Sequence, residues 1–332
     1  MGTGATSVVL AIQAQVWSSD LLTAASVVFL ILASALALTL WPRYVSRLAH
    51  RSMLRDEMSA GDHGALLATF PAGLLVLSVD WGRVGPELVP TIAALIIAVA
   101  LLVIGGVIAV ALGVAWANAI SRGSQDLSSV NGGWLIPPVM NLLIPVALVP
   151  VIDNFPEQAP VLLVIGFAFF GVGTVLFLAM FAVLVTRLAL RPPPPPAMAP
   201  SLWMPLAPAG LLGLALLRLQ QAGQTAGVEG FTSDTAGIVV AAMGIGLGLW
   251  WALFAALEVR GMRRTGPIPF HPGWWGYVFP VAALTLSVSA LGQAMQSTAI
   301  EVVAALATVA LLVVWAWVSW LTIRLVRPSR TR

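Results

Sequence analysis

Two stretches of the chain share one pattern: FPAGLLVLSV at residues 70–79 and FPVAALTLSV at residues 279–288 agree at six of ten positions. A shorter match, PAGLL, occurs at 71–75 and again at 208–212. Each stretch carries a proline near the start of a long apolar run. Because proline inside a helix removes a backbone hydrogen bond and bends the axis, the repeated pattern predicts several copies of one kinked helix.

The spacing of the prolines extends this repeat over the whole chain. Pro71, Pro138, Pro208 and Pro280 follow one another at intervals of 67, 70 and 72 residues, and a further step of 67 back from Pro71 reaches Gly4. We therefore predict five units, each a kinked helix followed by a straight return helix. The predicted units are 1–41, 64–119, 133–189, 201–259 and 272–326, with a stiff proline-rich cytoplasmic linker at 191–200.

The composition places these units in a membrane. Hydrophobic residues make up 59% of the 332 residues and charged residues 9%, whereas soluble domains carry about 25% charged residues. The apolar runs are long enough for ten membrane-spanning helices, so the predicted fold class is an all-α integral membrane protein. The absence of cysteine excludes disulfides and thiolate metal sites.

The arginines predict the orientation. The chain has sixteen arginines and no lysine, and fourteen of them fall in loops on one side of the predicted membrane. Only Arg83 and Arg218 fall on the other side. Since positive residues concentrate in cytoplasmic loops, both termini are expected in the cytoplasm and the protein in the cytoplasmic (plasma) membrane. The basic pI near 10.5 thus reflects topology and predicts no nucleic-acid partner.

The kinks also predict how the helices are arranged. A carbonyl freed by proline is costly in lipid, so five kinked helices are expected to face each other around a central quasi-fivefold pore. The middles of these helices hold small and apolar residues with a few hydroxyls. Asp80, near the outer end of the third helix, has two open interpretations: an interfacial residue or a residue of the pore mouth.

Five motifs give the chain a family resemblance. They are MGTGATSVVL (1–10), ATFPAGLLVLSV (68–79), WLIPPVMN (134–141), PPPAMAPSLWMPLAPAG (194–210) and WWGYVFP (274–280). Together they resemble the tellurite-resistance/dicarboxylate transporter family, which includes bacterial TehA, fungal malate permeases and sulfite exporters, and plant slow-type anion channels. The resemblance implies five hairpins around a pore and a homotrimer.

The resemblance also implies a gate. In the family a phenylalanine on the ninth helix closes the pore, and the WWGYVFP match places it at Phe279. Phe70 is the repeat-related residue and either shares this plug or packs elsewhere. Family members carry residues before Met-Gly-Thr-Gly, so the first crossing, 1–17, is expected to be short at about 26 Å.

Three functions follow from these observations. The first is an anion channel or passive uniporter for small anions, in contact with membrane lipid. The second is a proton-coupled C4-dicarboxylate carrier or sulfite exporter, for which Asp80 is the available proton site. The third is an enzyme, which the sequence disfavours because His50, His63 and His271 lie on predicted loops without metal-ligand spacing; we expect no cofactor.

Overall fold

The computed structural model describes residues 1–48, 65–123 and 126–326. Within these ranges it contains ten α-helices. We number them α1 Gly2–Trp17, α2 Asp20–Leu48, α3 Thr69–Arg83, α4 Thr91–Arg122, α5 Ile136–Asn154, α6 Ala159–Leu190, α7 Leu206–Thr225, α8 Thr235–Thr265, α9 Val278–Ala294 and α10 Thr298–Val326.

The helices form five antiparallel hairpins whose first members close into a ring. Each odd-numbered helix packs against the even-numbered helix that follows it. The odd-numbered helices also pack against each other in the order α1, α3, α5, α7, α9, and α9 returns to α1. The chain therefore builds an inner ring of five helices inside an outer layer of five.

Burial separates the two layers. In the most apolar 18-residue stretch of each even-numbered helix, 17–28% of the residues are buried. The corresponding share is 72–89% in α5, α7 and α9, taken together with the short 3₁₀ segments that precede them. Large apolar side chains stay exposed along the outer helices, for example Ile96, Val107 and Leu253. Such a surface requires lipid as its solvent, which confirms the prediction of an all-α integral membrane protein.

Eight of the helices in the described ranges are long and apolar enough to cross a membrane. The other two, α1 and α3, have 16 and 15 residues. At about 1.5 Å per residue they reach about 24 Å and 22 Å, less than the roughly 30 Å apolar core of a bilayer.

The repeat residues occupy one equivalent position in all five units. Gly4, Pro71, Pro138, Pro208 and Pro280 are each the third residue of their helix. The sequence predicted prolines in the interior of kinked helices, whereas the structure has them in the first turn. The first-turn N–H groups have no partner within the helix, so a proline there removes no helical hydrogen bond.

Three of the inner helices are preceded by a 3₁₀ segment, which we call a lead-in. The 3₁₀ segments Gly132–Leu135, Pro196–Trp203 and Pro272–Tyr277 run directly into or up to α5, α7 and α9. The proline-rich linker is therefore shorter than predicted: its extended part ends at Pro195, and Pro196 already belongs to a 3₁₀ lead-in.

Glycine permits the closest approaches within the ring and to the outer layer. A Cβ atom at Gly210 of α7 would lie 2.7 Å from the carbonyl oxygen of Ala283 on α9, and one at Gly213 would overlap Cα of Ala241 on α8. No larger side chain fits at these distances without moving a backbone, so small residues set the helix spacing.

The loop 49–64, with His50, His63 and the predicted boundary at residue 64, lies outside the described residues. The same holds for 327–332 at the C-terminal end.

Candidate transport site

A cavity of about 680 Å³ opens at the end of the ring where the odd-numbered helices begin. All five units contribute to its wall. The lining residues that belong to the ring or its lead-ins include Gly2, Gly4, Gly73, Val76, Gly133, Ile136, Met198, Ser201, His271, Gly276 and Phe279. Trp41 and neighbouring residues of α2 complete one side.

Phe279 borders this cavity from the start of α9. It is the second residue of that helix, follows the lead-in Pro272–Tyr277, and is 5% exposed. The WWGYVFP motif thus places the side chain of Phe279 at the boundary between the cavity and the five inner helices. Its side chain is also part of the hydrophobic core.

Phe70 lies in a different environment. Its ring packs edge-on against Trp41, with 5.6 Å between the centroids, and at a tilt against Tyr44, with 5.8 Å between the centroids; both partners are on α2. Of the two phenylalanines proposed as a plug, Phe279 lines the cavity and Phe70 is not among its lining residues. The side chain of Phe70 is directed toward the return helix of the first unit.

His271 joins two of the lead-ins rather than facing solvent alone. Its Nε2 lies 2.7 Å from the carbonyl oxygen of Ala197, and its Nδ1 accepts a hydrogen bond from the backbone N–H of Gly273 at 3.1 Å. A carbonyl can only accept, so Nε2 carries the proton. From the sequence, His271 is expected to be an ordinary loop residue, because this link joins segments 74 positions apart and no local pattern encodes it.

Asp80 is buried between the first two units of the ring. Its side chain is 0% exposed, and neither carboxylate oxygen has a hydrogen-bond partner among the residues that the structure describes. The nearby hydroxyl of Ser7 donates instead to the carbonyl oxygen of Ser26 at 2.8 Å. The close fit at Gly4, where a Cβ would lie 3.4 Å from Oδ2 of Asp80, places the carboxyl at the α1–α3 contact. Neither sequence interpretation of Asp80 anticipated this burial.

The opposite end of the ring carries polar side chains. Each inner helix supplies one near its C-terminal end: Gln15, Arg83, Asp153, Arg218 and Gln293. We call these five residues, which lie on the inner helices at the end of the ring away from the cavity, the outer polar ring. The sequence identified Arg83 and Arg218 only as exceptions to the arginine pattern; their proximity depends on helices that are far apart in the chain.

A ring of five buried helices with a cavity at one end, a polar ring at the other and a lipid-facing outer layer defines a multi-pass membrane transport protein. The comparison with known families agrees: residues 1–323 match the model of the SLAC1 family, described as voltage-dependent anion channel. The chain belongs to this family. The predicted resemblance is thereby confirmed.

Three curated relatives match smaller parts of the chain than the family model does. An uncharacterised transporter of Methanocaldococcus jannaschii is 32% identical over 167 residues, which cover 49% of this chain and 46% of that protein. A sulfite efflux pump of Arthroderma otae is 24% identical over 214 residues, 61% of this chain and 56% of the pump. A putative malic acid transport protein of Schizosaccharomyces pombe is 27% identical over 185 residues, 53% of this chain and 43% of that protein. The chain thus spans about half the length of the curated relatives that it matches.

Proposed function

We propose that this protein passes small anions along the axis of the five-helix ring and that Phe279 closes the path. The observation that carries the proposal is the position of Phe279, which borders the cavity at the start of α9 inside a closed ring of helices. An apolar constriction is a barrier because an ion cannot pass it without its hydration shell or a replacement. Moving one aromatic ring aside would open the path.

Charge at the cavity end supports anions as the substrate. Because the hairpins are antiparallel, the C-terminal ends of the even-numbered helices lie at the same end as the cavity. Within the part of the chain that the structure describes, eight arginines lie at this end: Arg43, Arg122, Arg187, Arg191, Arg260, Arg263, Arg264 and Arg324. By the positive-inside rule this end faces the cytoplasm, and we place the protein in the plasma membrane on that basis. A basic mouth raises the local concentration of anions.

The test is anion flux through purified protein in liposomes. Phe279→Ala should raise the rate of nitrate or chloride efflux above that of the wild type, by about tenfold or more if the ring is the main barrier. Phe177→Ala is the matched control, because Phe177 is also buried, at 1% exposure against 5% for Phe279, but lies on the outer helix α6. Equal flux in wild type and Phe279→Ala, with both proteins folded, contradicts the gate.

A proton-coupled carrier is the second candidate, and Asp80 is the observation that favours it. A buried carboxyl without a hydrogen-bond partner is costly as an anion and is a common proton site within membranes. The names of two relatives suggest sulfite and malate as substrates to test. Uptake of either that follows an imposed pH gradient in wild type and loses this dependence in Asp80→Asn would favour the carrier.

We also propose the homotrimer that the family resemblance implies. Light scattering of the detergent-solubilised protein should then give three times the 34.7 kDa mass of the chain. A protein mass of one or two chains contradicts it.

A further inference from the structure

Two arginines of the outer polar ring are held by neutral amides. Nη2 of Arg218 on α7 donates to Oε1 of Gln293 on α9 at 2.7 Å, and its Nη1 donates to Oε1 of Gln221 at 3.0 Å. Nη2 of Arg83 on α3 donates to Oε1 of Gln15 on α1. Each cation is thus fixed by the neighbouring helix of the ring without being neutralised by it.

The acids at this end leave the arginines unpaired. Asp153 on α5 lies within electrostatic range of both arginines, and Glu301 lines the recess beside Gln15 and Gln293. Within the part of the chain that the structure describes, neither acid comes within the 4.0 Å of an ion pair with Arg83 or Arg218. Asp153 is exposed, so water screens its charge more than it screens the half-buried arginines.

The arginines also have hydrogen-bond donors to spare. A guanidinium carries five N–H groups, and the bonds above use one from Arg83 and two from Arg218. Nε of Arg83 is buried and has no partner among the described residues. An unsatisfied buried donor is unfavourable, so a ligand that supplies an acceptor would stabilise this end of the ring.

A recess open to solvent adjoins the amides that hold the arginines, and neither arginine is among its lining residues. An open recess of about 430 Å³ lies at the outer end, lined by Gln15, Val16, Gln293, Gln296 and Glu301. The two amides that hold the arginines therefore form part of the wall of a space open to solvent.

We propose that Arg83 and Arg218 form an anion-binding site at the outer end of the ring, specific for small oxyanions or carboxylates. The planar guanidinium forks match the oxygens of such anions. The site rests on the proposed function in that it faces the far end of the same path. Phe279 and Gln293 are 14 residues apart on α9, so the site lies about 21 Å along the axis from the gate.

Calorimetric titration of purified wild-type protein in detergent with sodium malate and sodium nitrate tests the site without requiring transport. Arg83→Gln and Arg218→Gln should each raise the dissociation constant by about three- to tenfold. Gln293→Glu should raise it similarly, because it supplies a carboxylate partner to Arg218 while leaving both arginines in place. Thr39→Ala, at an exposed position on the outer helix α2, should leave it unchanged.

The outcomes separate this site from the proposed function. Unchanged binding in Arg83→Gln, Arg218→Gln and Gln293→Glu, or no binding by wild type, overturns the site even if Phe279→Ala conducts. If the wild type binds the anion and all three variants weaken binding, the site is supported. This holds even if Phe279→Ala conducts nothing, an outcome that contradicts only the proposed function. If the arginine variants do not fold, Gln293→Glu decides.

Discussion

Gln13 of α1 donates a hydrogen bond from Nε2 to Oγ of Ser289 on α9 at 3.0 Å, joining the first and last helices of the ring across 276 residues. Both side chains are buried, at 2% and 1% exposure. Oε1 of Gln13 accepts from Nε1 of Trp17 at 3.0 Å, and the hydroxyl of Ser289 donates to the carbonyl oxygen of Thr285 at 3.0 Å. The polar groups of this pair are therefore satisfied, and the bond closes the ring.

Removing one partner of this pair should destabilise the protein. Ser289→Ala leaves a buried amide donor without an acceptor, which costs about 1–3 kcal/mol. Gln13→Ala removes the amide itself, and the double variant should lose less than the sum of the two single ones, with a coupling of about 1 kcal/mol. Thermal unfolding in detergent measures the three variants. Thr39→Ala, at an exposed position on α2, is the control, and strictly additive effects would contradict a direct interaction.

The size of residue 279 should set the rate of anion flux. If the side chain is a steric and apolar barrier, Phe279→Ala should conduct more than Phe279→Leu, and Phe279→Leu more than wild type. Chloride efflux from liposomes at equal protein density gives the order. A flux that is independent of side-chain volume would show that the barrier lies elsewhere in the ring.

Phe70→Ala should leave the flux within about twofold of wild type and lower the stability. The reason is the packing of Phe70 against Trp41 and Tyr44 of α2; truncating a packed phenylalanine typically costs up to about 3–5 kcal/mol when it is fully buried. The same flux assay and a thermal melt measure both effects. A large rise in flux would instead support the sequence hypothesis that Phe70 shares the plug.

Gly210→Ala should destabilise the ring by about 1–3 kcal/mol, the usual cost of overpacking. The added methyl would meet the backbone of α9 at Ala283, which cannot rotate away. Gly246→Ala on α8 is the matched control, since a Cβ there meets nothing within 4 Å and alanine favours a helix by up to about 1 kcal/mol over glycine. The two melting temperatures should move in opposite directions; a similar response in both would argue against close α7–α9 packing.

Much of the fold could be predicted from local pattern. The apolar runs marked ten helices, and the interval between Pro71, Pro138, Pro208 and Pro280 marked the units. The helix starts were less accurate, because Pro196–Trp203 and Pro272–Tyr277 are 3₁₀ segments whose composition resembles that of the helices they precede. Those lead-ins line the cavity, so the boundary between helix and lead-in matters for the site.

The candidate site was predictable only in part. Phe279 came from a contiguous motif, which is why one sequence could point to it. The burial of Asp80, the link from His271 to Ala197 and the outer polar ring each join residues from different units, and no local pattern encodes such contacts.

The sequence by itself determined that this protein lives in a membrane, that it consists of five helical hairpins and which end of each hairpin carries the positive charge. These properties follow from hydropathy, proline spacing and arginine placement, which can be read along the chain without knowing any contact between helices. Only the tertiary structure decided that Phe279 borders the cavity while Phe70 packs on α2, and that Arg83 and Arg218 lie within electrostatic range of each other. The reason is physical: the directions of side chains around a closed ring depend on how all five helices pack at once.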